Sequence, residues 1–392
     1  MAFSRLAPHK RAMSVRIATF NVENLLARFD FSGWRRDHRR DPALSLVDVR
    51  DEKHYRQLEQ ARVVAHADDA RQMTALALAD CRADILCLQE VENLETLEAF
   101  ERSYLYRMTG LSYPHKVWKQ GNDGRGIDVA LMAREKTRDG RPIELINAKT
   151  HRKVTFADLG LHSKLLGERG HERDDRVFRR DCLEVDLAIG GKRLTLYVVH
   201  LKSMGPSRDG MEGRLYTMPI RSAEAMAVRR LIERRFGSER TPKMRWLVCG
   251  DMNDYRERLV VGGDRFDGFN FSTKVENVSG LDPLMNDGFS VNLVDRRPAD
   301  DRWTLFHASG PAGEGASMQE RRRQHLVQLD YLLASPALAK GNIDAVPDII
   351  RFGQPFRTPF PPGQDVERYP RTGWDRPKAS DHCPVAVTLE MV

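Results

Sequence analysis

Short apolar runs rich in β-branched residues, bounded by Gly, Asp and Pro, alternate along the chain with stretches of helical spacing. Such runs read as strands. They predict strands over Arg16–Asn21, Ile85–Glu90, Ile127–Met132, Cys182–Leu187, Leu194–His200, Trp246–Gly250, Val327–Leu333 and Pro384–Leu389. Ala70, Met73 and Ala77 recur at helical spacing, which predicts a helix over Tyr55–Asp80. A second helix is expected over Ile220–Phe236, with Arg234 and Arg235 in its last turn and Gly237 as its stop. Strands interleaved with helices argue for an α/β class. Charged stretches without either period fall near 31–53, 139–180, 255–287 and 308–323. They are expected as irregular surface insertions on one scaffold covering 15–392, preceded by a basic extension over 1–14. Pro355–Pro370 is expected as an ordered surface loop.

Composition narrows the picture in three ways. No apolar run approaches the ~18–20 residues that span a bilayer, and the N-terminus lacks the apolar core of a secretory signal. A cytoplasmic protein without a membrane span is therefore expected. The five cysteines, Cys81, Cys87, Cys182, Cys249 and Cys383, are odd in number and form no CxxC. Buried, reduced thiols fit that usage better than a disulfide framework or a zinc ribbon. The 63 Lys+Arg against 56 Asp+Glu leave a net charge of +7, a mild bias toward polyanionic partners. No obligate protein partner is readable.

The chemistry lies at the strand ends. Successive strands finish on Asn21, on Gln89-Glu90, on His200 and on Asp251-Met252-Asn253. Asp330 sits inside an apolar run, and Ser380-Asp381-His382 precedes the last strand. Each has a bland reading taken alone. Gly-Asp-x-Asn is a common turn, a carboxylate at a strand end is usually solvated, and a single histidine is more often structural. Asp330 is harder to dismiss, because an unpaired buried carboxylate is costly. Together the residues form a chemical set. Glu90 with Asn21 and Asp381 suits a hard divalent cation that keeps several waters. Asp251 or His382 can take a proton from water. His200, His382, Asn21 and Asn253 can hold a phosphate. Asp330 is placed to orient His382, and Asp128 to orient His200.

The motifs TFNVENL (Thr19–Leu25), DILCLQEVEN (Asp84–Asn93), RGIDVALMAR (Arg125–Arg134), YVVHLKS (Tyr197–Ser203), CGDMND (Cys249–Asp254), QLDYLLASP (Gln328–Pro336) and SDHCPV (Ser380–Val385) resemble those of the endonuclease/exonuclease/phosphatase superfamily, the fold of deoxyribonuclease I. The resemblance spans almost the whole chain. It implies a four-layer α/β sandwich, with two packed mixed β-sheets flanked by helices, and hydrolysis of phosphoesters with Mg²⁺ or Mn²⁺. It further implies Glu90 as the principal metal ligand, supported by Asn21 and Asp381. Asp251 and Asn253 would position or activate the attacking water. His382, paired with Asp330, would act at the scissile phosphate, and His200 matches the histidine of the deoxyribonuclease I and sphingomyelinase branches.

Substrate choice rests on less. The Gln328-Leu329-Asp330-Tyr331 stretch departs from the inositol-polyphosphate branch. The motif wording, followed by a basic helix carrying Arg221, Arg229 and Arg230, looks most like bacterial nuclease-type members. DNA, or RNA, is the expected substrate and nucleic acid the expected partner; a lipid, inositol or nucleotide phosphoester, and a silent binding module, are the alternatives. The clusters at 35–40 and at Arg321, Arg322 and Arg323 could contact a phosphate backbone. Trp34, Trp303 and Trp374 could stack on bases or simply pack.

Overall fold

The computed structural model describes residues 13–25, 68–205, 208, 210–308 and 324–391. One six-stranded sheet runs, in spatial order, Asp348–Ile349, Val385–Glu390, Ser14–Leu25, Ile85–Val91, Asp128–Ala133 and His115–Trp118. A second runs Val291–Asn292, Asp330–Ala334, Trp246–Asp251, Lys192–His200, Cys182–Ile189 and Ile143–Thr150. Both are mixed. Ser14–Leu25 pairs parallel to Ile85–Val91, Lys192–His200 pairs parallel to Trp246–Asp251, and the flanking pairs are antiparallel.

Alternation within the strands explains the layering. Ile17, Cys87, Val129, Leu131 and Val387 of the first sheet interdigitate with Val185, Leu196, Val198, Cys249 and Leu332 of the second. The opposite face of the first sheet, with Phe20, Leu86, Leu88 and Met132, packs on Met73, Leu78 and Leu97. These last belong to the helices over 68–81 and Leu94–Phe100. The outer face of the second sheet, with Tyr197, Trp246 and Val248, packs on Ala225, Val228 and Ile232 of the long helix Gly213–Phe236. Helix, sheet, sheet, helix is the four-layer sandwich.

Several expectations change in detail. The long helix starts a turn and more before Ile220 and contains Pro219. Its end is as expected, with Gly237 at φ 78° and its N–H on the Glu233 carbonyl at 2.8 Å. The single strand expected over Val327–Leu333 is broken into Gln324–Val327 and Asp330–Ala334. The Thr304 hydroxyl, fully buried, accepts from the N–H groups of Leu329 and Asp330, at 2.9 and 3.2 Å. It takes these two donors out of any ladder, and the halves join different sheets. The stretches near 139–180 and 255–287 are not irregular throughout. The first supplies the edge strand Ile143–Thr150. The second folds as the hairpin Glu257–Asp264 and Gly268–Val275, in a four-stranded sheet with Gln324–Val327 and Leu305–Ala308. The stretch near 31–53 and nearly all of that near 308–323 lie outside the described residues. All five cysteines are buried and free. No helix among the described residues is long and apolar enough to cross a membrane.

Candidate active site

Parallel pairing sends the ends of the central strands to one edge of the sandwich. Asn21 is in register with Gln89, and His200 with Asp251. The antiparallel neighbours begin there, Asp128 opposite Val91 and Asp330 opposite Asp251. Gly250 makes the last step into this edge possible. Its φ is +143°, and a Cβ on it would lie 1.9 Å from the Val199 carbonyl oxygen.

Asp251 is the hub. Its Oδ2 accepts from Asn21 Nδ2 at 3.1 Å and Asn253 Nδ2 at 2.9 Å. The same oxygen lies 3.3 Å from His200 Nε2 and 3.7 Å from His382 Nε2. Its Oδ1 accepts the Asn253 N–H at 2.8 Å. Asn253 sits at φ 51°, a rare conformation for a non-glycine residue, and gives its second amide hydrogen to the Leu201 carbonyl at 3.1 Å. Both amide hydrogens of Asn253 are therefore committed within the protein, so its carboxamide orients Asp251.

Across the seam between the sheets, Asn21 Nδ2 also lies 3.4 Å from Glu90 Oε1. Glu90 Oε2 accepts the Asn24 N–H at 2.9 Å. Glu23, Asn24 and Glu90 all have positive φ, so both strand ends turn sharply here. Glu23 joins this corner to the last loop: it pairs with Arg376, takes Lys378 Nζ at 3.1 Å, and accepts the Asp381 N–H at 3.0 Å. That loop is pinned from three more sides. The Ser380 hydroxyl donates to the Asn21 carbonyl at 2.7 Å, Gln354 donates to the carbonyls of Ser380 and His382, and Thr74 donates to the Ala379 carbonyl. Glu23, Ser380, Gln354 and Thr304 are the contributors that sequence reasoning did not single out. Glu23 and Ser380 stood inside the quoted motifs, whereas Gln354 and Thr304 carried no signal.

His382 Nδ1 lies 2.8 Å from Asp330 Oδ2, and the pair is buried. Burial by itself would lower the histidine pKa, but Asp330 and Asp251 raise it well above the ordinary value. Burial likewise opposes ionisation of Asp251, and the charge on His382 with the contact from His200 overcomes it, holding that carboxyl well below the usual range. Both shifts favour an ionised Asp251 beside a protonated His382. Asp381 is also lowered despite its burial, by His382 and Lys378.

Asn21, Glu90, His200, Asp251, Asn253, Asp330, Asp381 and His382 are thus linked through contacts around Asp251, Glu23 and Ser380. The remaining expectations fare differently. No hydrogen bond joins Asp128 to His200. His200 Nδ1 and Asp128 Oδ1 are both buried without a hydrogen-bond partner. Asp128 instead accepts from Gly121, and burial pushes its carboxyl up to about 6. Arg221 is fully buried on Asp254, and Arg229 and Arg230 bind the Pro283, Leu159 and Gly160 carbonyls. These three arginines of the basic helix are committed to partners in other segments of the protein. Trp303 packs in the core against Phe360, with its Nε1 on Gln364, whereas Trp374 is 58% exposed. Trp34, the 35–40 cluster and Arg321, Arg322 and Arg323 lie outside the described residues.

Among the described residues no group of three or more His, Cys, Asp or Glu is placed to hold a metal by itself. Glu90 is a different kind of candidate: one carboxylate, with Asn21 Nδ2 3.4 Å from its Oε1 and Asn21 Oδ1, which accepts the Glu23 N–H, as the neighbouring amide oxygen. It fits Mg²⁺ or Mn²⁺, hard cations that retain most of their water and need only one or two carboxylates.

A model of the endonuclease/exonuclease/phosphatase family matches residues 18–382. Solved structures similar to this chain include TDP2 from D. rerio complexed with single-strand DNA product, 14% identical, covering 96% of this chain and 98% of that one at a TM-score of 0.46. They also include a mannosyl-6-phosphatase from Bacteroides thetaiotaomicron, 13% identical, covering 96% and 99% at 0.47. A third is the human Nocturnin catalytic domain with bound sulfate anion, 13% identical, covering 96% and 94% at 0.46. A search of the curated proteins found no match.

Proposed function

The chain belongs to the endonuclease/exonuclease/phosphatase family of hydrolytic phosphoesterases, and from that premise we propose that it cleaves phosphodiester bonds of nucleic acid, DNA or RNA, by attack of an activated water. The observation that carries the reading is the Asp251 carboxylate, held by Asn21, Asn253 and His200 with the His382 imidazole 3.7 Å away. Phosphoryl transfer needs this pairing of a proton acceptor and a fixed positive charge.

Each residue has a definable part. Asp251 accepts the proton of the attacking water, since His382 already bears its own. Asn253 and Asn21 fix the Asp251 oxygens. His382, oriented by Asp330, places a proton-bearing nitrogen where charge builds on the phosphate, and His200 Nε2 offers a second. Glu90 and Asn21, with Asp381 behind them, would hold Mg²⁺ or Mn²⁺, which when bound neutralises phosphate charge and acidifies water. The net charge of +7 favours a polyanionic substrate.

The test is a panel of plasmid DNA, single-stranded DNA, RNA, sphingomyelin and bis(p-nitrophenyl) phosphate, each with Mg²⁺, Mn²⁺ or EDTA. Nucleic acid should be cut with either ion and spared in EDTA. Glu90→Gln, which keeps shape and loses charge, should lose at least about a hundredfold in kcat while remaining folded. If all nucleic acids stay intact while a lipid or small phosphoester is turned over, the substrate assignment fails and the phosphoesterase chemistry stands.

A further inference from the structure

Two large aromatic side chains stand in solvent at one place on the molecule. Phe266, at the tip of the Glu257–Asp264/Gly268–Val275 hairpin, is 85% exposed, and Trp374 is 58% exposed. The Arg265 guanidinium lies between them, 5.2 Å from the Phe266 ring centroid and 5.4 Å from that of Trp374. Both backbones are fixed. Asp264 Oδ1 accepts the N–H groups of Phe266 and Asp267 at 2.7 and 2.9 Å. The Trp374 carbonyl accepts from Arg357 at 2.9 Å, and Gly373 donates to the Pro377 carbonyl at 2.9 Å.

The loop that carries Trp374 is tied to the catalytic edge. Two residues beyond Trp374, Arg376 pairs with Glu23, which also holds Lys378 and the Asp381 N–H. Two residues of backbone span at most about 7 Å, and the Arg376 side chain reaches the rest of the way to Glu23, so the loop that carries Trp374 leads into the rim that carries Asp381 and His382. An occupant that reaches both must be one chain, with a phosphodiester at one point and flat apolar groups beside it. Unpaired bases offer such faces, and bases inside a duplex do not. The cation between the rings suits the phosphates that join those bases.

We infer that Trp374 and Phe266, with Arg265 between them, form a stacking platform for unpaired bases of a single-stranded nucleic acid whose scissile phosphate enters beside Asp251. The inference rests on the nucleic-acid reading proposed above. Its measure is the ratio of kcat/KM for a single-stranded oligothymidylate to kcat/KM for bis(p-nitrophenyl) phosphate, which is too small to reach the rings. Trp374→Ala and Phe266→Ala should each lower the ratio about tenfold or more, through KM. Trp374→Phe should restore most of it, and the matching ratio for a duplex of equal length should not move. In EDTA, where nothing turns over, the oligothymidylate should quench tryptophan fluorescence of the wild type but not of Trp374→Phe. An unchanged ratio in Trp374→Ala, or quenching that persists in Trp374→Phe, overturns the platform. Quenching by an oligothymidylate that the wild type never cleaves, even with Mg²⁺ or Mn²⁺, defeats the proposed function instead and leaves the platform standing.

Discussion

The contact between His382 and Asp330 makes two distinct predictions. Asp330 is fully buried, one oxygen on His382 Nδ1 and the other without a partner. If its task is to hold that imidazole, His382→Ala should remove most of kcat, about a thousandfold, and Asp330→Asn a large but smaller share. The double variant should be no slower than His382→Ala alone; additive losses would separate the two residues. The second prediction is thermodynamic. The His382 pKa is raised in the folded protein. Its contribution to stability is therefore fully present below the unfolded value of about 6.5 and is lost as pH rises through the folded value. Urea unfolding in EDTA should show the stability gap between wild type and His382→Ala narrowing as pH climbs above about 6.5. A gap that widens would mean that the folded histidine is held neutral. Asp128 illustrates the opposite outcome for a sequence pairing. Its strand was correctly expected, but strand position alone does not make the contact, and Asp128 Oδ1 and His200 Nδ1 are both left without a hydrogen bond.

Secondary-structure elements hold these residues through contacts that run mostly across long sequence separations. The turn after Asp251 is clamped by the long helix. Asp254 takes Arg214 Nε at 2.6 Å and Arg221 Nε at 3.1 Å, with the Gly280 N–H on its Oδ2 at 2.8 Å. All three side chains are buried. Removing one member of a buried ion pair leaves an uncompensated charge and costs about 3–5 kcal/mol. Asp254→Asn, which leaves Arg221 and Arg214 buried without their shared carboxylate, should lower the unfolding free energy by that order, measured by urea denaturation; a loss below about 1 kcal/mol would make the clamp dispensable. Most strands were legible because the chain marks them twice, by apolar runs and by a polar residue at the catalytic end. The broken strand at 328–329 was not, since the cause is the Thr304 hydroxyl, more than twenty residues away in sequence. The same holds for the inward arginines of the long helix. A sequence shows their charge, but their partners, Asp254 and the carbonyls of 159, 160 and 283, come from other segments.

At the scale of the whole molecule, the net charge of +7 is what 63 Lys+Arg leave after 56 Asp+Glu, so most cations have a carboxylate to balance them. Arg214 and Arg221 are consumed by Asp254, Arg180 by Asp123, and Arg351 by Asp301. Binding through general cationic character would therefore be weak, and the phosphate contacts must come from particular clusters. Arg321, Arg322 and Arg323 are the densest candidate in the sequence near the catalytic strands, following Leu305–Ala308, whose Leu305 bridges His382, and immediately preceding Gln324–Val327. Each single-strand phosphate contact adds about 0.7 to the slope of log affinity against log salt. Reversing all three arginines to glutamate should therefore flatten the slope for a single-stranded oligonucleotide by about 2 and raise its KM at low salt most. Because this effect is electrostatic, raising the salt should bring the variant and the wild type together. A variant whose slope matches the wild type would remove these arginines from the substrate path and leave recognition to the catalytic edge and its aromatic rim.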